Sequence, residues 1–184
     1  MRGVEMAKKI KKQPALKPQD LLLVLKLCAN EHSQSMPYSE LARSIGLTAS
    51  ETHAAVERAE MAALLRQDMF GRHPIKRNIL EFVVHGAKYA FPAARGRVSR
   101  GVPTSLGVEP LSSLIAHAPD EIPVWPSASG KMRGPSIIPL YPSVVGAAEK
   151  DAALYQLLAL FDALREGRAR ERDLAKKLIT ERIR

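Results

Sequence analysis

Residues 45–52 read Ile-Gly-Leu-Thr-Ala-Ser-Glu-Thr, and this short span restricts the fold more than any other. Gly46 suits the left-handed conformation that closes a helix over residues 39–45, whose inward positions are Leu41, Ala42 and Ile45. Two residues later, Thr48 and Glu51 have the spacing of a capping box, which opens a second helix reaching about residue 65. Two helices joined by so few residues cannot be collinear, so the sequence predicts a fixed angle between them. The second helix buries Thr52, Ala55, Val56 and Ala59. It turns Ser50, Glu51, His53, Ala54, Glu57 and Arg58 outward.

The flanking chain supports a mainly α fold with a small β-hairpin. Before the pair, Pro18 suits a first helical position, Asp20 favours the positive helix end, and Leu21, Leu22, Val24, Leu25 and Cys28 give a broad apolar face. After "RQDMFGRHPIKR", Asn78 and Glu81 form a second box opening a helix through "ILEFVVH", which Gly86 is expected to stop. "AKYAFP" reads as a strand, "AARGR" as a turn and "VSRGVP" as a returning strand, with Arg95, Arg97 and Arg100 about the hairpin loop. Prolines at 110, 119, 123, 126, 135, 139 and 142 exclude a long helix across 105–145. That segment is expected to hold one short helix near 110–117 and otherwise irregular or edge-strand chain wrapped over the core, anchored by Trp125 and Tyr141. From residue 146 helical spacing returns in Leu154, Leu157, Leu158, Phe161 and Leu164. A last segment carries Leu174, Leu178 and Ile179 among Arg168, Arg170, Arg172, Lys176 and Lys177. The leucine stripe of 151–165 suits either a dimer contact or closure of the monomer core. The expected organisation is a basic flexible arm (1–17), a DNA-binding unit (18–104), a proline-rich irregular segment (105–145) and a C-terminal helical region (146–184).

Charge narrows the partners. The net charge is +9, and it is unevenly placed. Residues 1–18 and 66–104 are strongly basic, 19–65 are acidic on balance, and 105–184 are nearly neutral. Such asymmetry points to a polyanion. No run approaches the roughly 18 apolar residues of a membrane helix, and the start lacks the apolar core of a signal peptide, so a cytoplasmic protein is expected. The lone Cys28 lies in an apolar run and reads as packing. The histidines at 32, 53, 73, 85 and 117 are scattered without metal-ligand spacing, and His85 reads as a packed or capping residue. "GRVSRG" and "SGKMRG" lack the glycine spacing of phosphate loops, and Asp120 and Glu121 stand without partners. The sequence therefore predicts no catalytic residues, cofactor or metal.

The stretch "YSELARSIGLTASETHAAVERAEMAALL" resembles the reader element of winged helix-turn-helix bacterial transcriptional regulators, including the broad MarR-like group. Leu41, Ala42, Gly46, Leu47, Val56 and Leu64 fall where that motif has its core residues, and the resemblance covers about 18–104. The chain departs from the pattern in one respect. A helix over 79–85 precedes the expected hairpin, and the basic stretch 66–78 stands where many relatives form the wing. "ILEFVVHGAKYAFP" and "RGVPT" also resemble a little-characterised bacterial family labelled as transcriptional regulators.

The resemblance implies a sequence-specific, double-stranded DNA-binding regulator, dimeric on an inverted repeat. Short polar groups at the start of a helix in the major groove can read bases, which nominates Ser50, His53, Ala54 and Glu57. Thr48 and Arg58 are candidates for phosphates, Arg72, Lys76 and Arg77 for a backbone patch, and Arg95, Arg97 and Arg100 for a wing. Lys8, Lys9, Lys11 and Lys12 of the arm can follow the backbone. The main alternative is a protein-interaction module or antitoxin-like partner, with 105–145 as interface and Trp125 and Tyr141 as exposed anchors. RNA binding is disfavoured by the few aromatic residues.

Overall fold

The computed structural model describes residues 14–184, so Lys8, Lys9, Lys11 and Lys12 lie outside the described residues. It is mainly helical, with two small sheets. Helix α1 (Pro18–Ala29) opens with proline at its first position, and Lys17 N donates to Asp20 Oδ2 at 2.8 Å. Leu21 to Leu25 and Leu27 are all buried, so α1 is apolar on every side, as a central helix must be. Against it pack α3 (Ala49–Met61) and α8 (Ala152–Glu166). Helix α2 (Tyr38–Ile45) packs chiefly against α3 and also touches α1. A single apolar cluster runs from Leu21 to Ile183, so the first half and the C-terminal helices share one core.

Gly46 ends α2 with φ 69°, as its position requires. The last turn is finished from far along the chain, because Ser143 Oγ donates to Ile45 O at 2.6 Å. Helix α3 ends at a left-handed Ala63 (φ 55°), whose carbonyl accepts from Asn78 Nδ2 at 2.8 Å. Asn78 thus pins the turn after α3 and does not cap a helix.

Several local expectations are corrected here. Directly after α3, β1 (Leu65–Asp68) and β2 (Gly71–Pro74) form an antiparallel hairpin, Leu65 opposite Pro74 and Asp68 opposite Gly71. Next comes one helical run from residue 76 to 90: α4 (Lys76–Glu81), a π turn (Phe82–Gly86) and α5 (Ala87–Ala90). Gly86 has φ −109° and carries the helix on, without the left-handed turn by which a glycine commonly closes one. "AKYAFP" is therefore helical at its start. Phe82 is braced edge-on against Phe91, with centroids 6.2 Å apart.

The expected hairpin across "AARGR" is absent. Strand β3 (Arg95–Pro103) instead pairs antiparallel with β4 (Val124–Pro126) and β5 (Met132–Ile137), and β4 meets β5 at Val124 and Ser136. The proline-rich segment holds the expected short helix, α6 (Leu111–Leu114), and two short strands. Close curling needs bare backbone at Gly101 and Gly130, where a side chain would collide with main-chain atoms of Trp125 and of Gly101 respectively.

Trp125 is buried and Tyr141 half-buried against the core, so neither is an exposed anchor. Asp162 of α8 is 1% exposed and accepts from Trp125 Nε1 (2.6 Å), Thr104 Oγ1 (2.8 Å), and Arg165 Nε (3.0 Å) and Nη2 (2.6 Å). Arg165 also donates to the carbonyls of Phe91 and Ile138. A buried carboxylate is tolerated when so fully paired, and this network ties the second sheet to the helices. After α7 (Val144–Ala148), Asp151 caps α8 through Leu154 N (3.0 Å) and pairs with Lys26 of α1 at 2.6 Å. Leu154, Leu157, Leu158, Phe161 and Leu164 are all buried, so the leucine stripe closes the monomer core. Helix α9 (Ala169–Ile183) covers α8. No helix among the described residues is long and apolar enough to cross a membrane.

Candidate nucleic-acid interface

The candidate reading surface begins at the turn into α3. Thr48 N and Oγ1 donate to Glu51 Oε2 at 2.9 and 2.8 Å, and Glu51 N donates to Thr48 Oγ1 at 3.1 Å. The Thr48 N–H, then its hydroxyl, hold the Glu51 carboxyl below its ordinary value. Both side chains are thereby committed to starting the helix, and Glu51 is anchored where its charge suits the positive helix end.

Beyond this cap Ser50, His53 and Glu57 are exposed and Ala54 is half-buried. They recur on one side of α3 because Thr52, Ala55, Val56 and Ala59 fill the other. His53 Nδ1 lies 3.8 Å from Glu57 Oε1. The His53 ring stands 5.2 Å from that of Tyr38, and Tyr38 Oη donates to Gln67 Oε1 at 2.8 Å. Gln67 N in turn donates to Glu60 Oε1 at 3.1 Å. The outward face of α3, the start of α2 and the β1–β2 hairpin are therefore continuous.

The hairpin tip is firmly built. Asp68 Oδ1 accepts from Phe70 N (2.8 Å) and Gly71 N (3.2 Å) and lies 3.0 Å from His73 Nε2. The Phe70 N–H and the His73 contact hold this carboxyl below its ordinary value. Gly71 has φ 154° and sits where a side chain would strike Gln34 O. The turn so fixed displays Met69, 90% exposed, and Phe70, 76% exposed. Tyr38, Gln67, Met69 and Phe70 do not stand out in the sequence, though Asp first and Gly fourth in Asp68–Gly71 is a readable β-turn signal.

The candidate backbone contacts fare differently. Arg58 Nε and Nη2 donate to Asp20 at 2.7 and 2.6 Å, Asp20 being wholly buried. Arg58 thus locks α3 onto α1 and is not presented to a groove. Arg72 is buried, donates to Met36 O, and lies 4.7 Å over the Tyr38 ring. It too is a structural residue, correcting its assignment to a surface patch. Lys76 Nζ donates to Arg184 O at 2.8 Å, while Arg77 is exposed beside it.

Arg95, Arg97 and Arg100 lie on β3 in the second sheet, away from any hairpin loop. Arg95 pairs with Glu166 at 2.6 Å, and Arg100 Nε donates to Gly130 O at 2.5 Å. Burial raises the pKa of Glu166, against the pull of Arg95. Arg97 is exposed, and its side chain makes no hydrogen bond or ion pair among the described residues. No group of three or more metal-ligating side chains occurs among the described residues. Comparison with family models, curated proteins and solved structures finds no match.

Proposed function

We propose that the chain is a sequence-specific, double-stranded DNA-binding regulator of winged helix-turn-helix design, acting in the cytoplasm. The observation that supports this best is the continuous surface joining the outward face of α3 to the β1–β2 hairpin through His53, Tyr38 and Gln67. In this reading α3 enters the major groove with Ser50, His53, Ala54 and Glu57 towards the bases. The hairpin over 65–74 is the wing, in place of the one first expected around residue 97. Serine pairs with either base edge, glutamate accepts from cytosine N4, and the alanine methyl suits a thymine methyl.

One such helix carries few contacts, so two copies on an inverted repeat are proposed. Since α8 is buried within the monomer, the pairing surface must lie elsewhere. The protein-interaction alternative loses its anchors with the burial of Trp125.

Selection of bound sites from random duplex DNA, at two salt concentrations, tests the reading. A recovered inverted repeat with half-sites about one helical turn apart, bound more weakly at the higher salt, is expected. Absence of any enriched sequence would refute it.

A further inference from the structure

The geometry points to a binding site for an amphipathic anion, a medium-chain acyl carboxylate, in the groove between α4 with its π turn and α9. The groove is open to solvent and offers about 750 Å³, within the range of small-molecule sites. Its floor is apolar. Leu80 and Val84 are one helical turn apart, each packed against the core on one side and half-exposed on the other. The opposite wall carries Lys176 and Thr180 at successive turns of α9, and Arg184 directly after its end. The eight residue steps from Lys176 to Arg184 rise about 12 Å, the length of an extended medium acyl chain, of which the floor residues Leu80 and Val84 cover about 6 Å.

The rim is cationic. Lys76, Arg77, Lys176 and Arg184 border the groove with Glu81 as the only acidic lining residue. None of these four cations lies within ion-pair distance of an aspartate or glutamate among the described residues. Lys76 Nζ, bonded to Arg184 O at 2.8 Å, fastens the two helices at one end. A carboxylate head meets the guanidinium of Arg77 or Arg184 with two parallel hydrogen bonds, while its tail removes Leu80 and Val84 from water.

The combination selects the ligand class. A DNA phosphate or free inorganic anion needs the rim and gains nothing from the floor. An apolar cation gains the floor and is repelled by the rim. The π turn supports the assignment, since such turns occur frequently at functional sites. The inference does not depend on DNA binding.

Titration calorimetry of the full chain with decanoate, below its micelle concentration, tests it. Saturable one-site binding is expected, with acetate, inorganic phosphate and decyltrimethylammonium each at least about tenfold weaker. Arg77→Glu and Lys176→Glu should each weaken decanoate about tenfold, the scale of one charge-assisted contact. Val84→Glu should do the same at the floor. If Val84→Glu fails to fold, the two exposed-site variants carry the test alone. Equal binding of the decyl anion and cation, phosphate binding as tightly as decanoate, absence of saturable binding, or wild-type affinity in the charge-reversal variants would each overturn the proposal.

Discussion

Arg58→Ala separates the two roles open to an arginine on α3, a lock on the fold or a phosphate contact. In the fold it makes two bonds to Asp20, at 2.7 and 2.6 Å, and its side chain is 17% exposed while that of Asp20 is 0% exposed. Removing it leaves a buried carboxylate whose remaining donor among the described residues is the Lys17 N–H, at 2.8 Å. Breaking one side of a buried ion pair costs about 3–5 kcal/mol. Residual access of water at Arg58 favours the lower end, about 3 kcal/mol. For a chain of this size each kcal/mol moves Tm by about 2–4 °C, so a fall of about 6–12 °C is expected in a circular-dichroism melt. The double variant Asp20→Asn/Arg58→Leu should regain much of that loss, because it leaves no uncompensated charge. If the chain binds DNA as proposed, then on a selected duplex, well below both melting temperatures, Arg58→Ala should bind within about twofold of wild type and keep its salt slope. A variant that melts normally yet loses affinity, with a salt slope lower by about one, would show Arg58 on a phosphate and refute the argument.

Asp162→Ala strands the Trp125 N–H, the Thr104 hydroxyl and the Arg165 cation together. It should destabilise by about 3–5 kcal/mol in urea unfolding and broaden the near-ultraviolet signal of Trp125, and a shift under about 1 kcal/mol would contradict the network. Burial pushes the Cys28 thiol up to about 12, with Lys76 acting weakly the other way. Native protein at pH 8 should therefore resist iodoacetamide that labels it readily in denaturant, as read by mass spectrometry. Burial raises the pKa of Asp151, but Lys26 and the Leu154 N–H outweigh it, and the carboxyl sits below its ordinary value of 3.8. Its contribution to stability is thus complete above about pH 4 and lost as pH falls through the lower folded value. Asp151→Asn should flatten the stability profile in that acid window, and an unchanged slope there would count against the pair. Ala63 is held at φ 55°, so Ala63→Gly should raise Tm slightly, relief of about 1–2 kcal/mol of strain exceeding the entropy cost of glycine, about 0.4–1 kcal/mol.

The elements legible in the sequence are those whose signal is local. Gly46 and the Thr48–Glu51 box act within a single turn of chain, and both hold with the geometry their spacing requires. The helix from Pro18 and the buried Trp125 were also readable, the first from its cap and apolar face, the second from bulk. The misread regions depend on distant partners. Asn78 with Glu81 has the pattern of a cap, yet its amide is drawn to Ala63 O across the turn from α3. "VSRGVP" is a strand as expected, but its partners lie at Val124–Pro126 and Met132–Ile137, beyond a run of prolines that masks strand periodicity. Gly86 looked like a stop because glycine commonly turns left-handed, and here it does not.

Charge was the least legible quantity, because a sequence counts cations without saying which are occupied. Of the candidate phosphate-binding side chains, Arg58, Arg72 and Arg100 are held by internal acceptors, Arg95 by Glu166 and Lys76 by the end of α9. Meanwhile Glu40, Glu51, Glu57, Glu60 and Asp68 stay exposed around α2, α3 and the hairpin, and outnumber the exposed Arg43 and Arg66 there. A surface of that composition has little pull on a polyanion by itself. If α3 reads DNA, most of its attraction must come from outside the reading face, and the basic residues 1–13 are the densest remaining source. Deleting residues 2–12 should then lower affinity for every duplex by a similar factor and flatten the salt dependence, leaving the preferred sequence unchanged. Loss of sequence preference with unaltered salt dependence would mean that the arm reads bases and that α3 does not work alone.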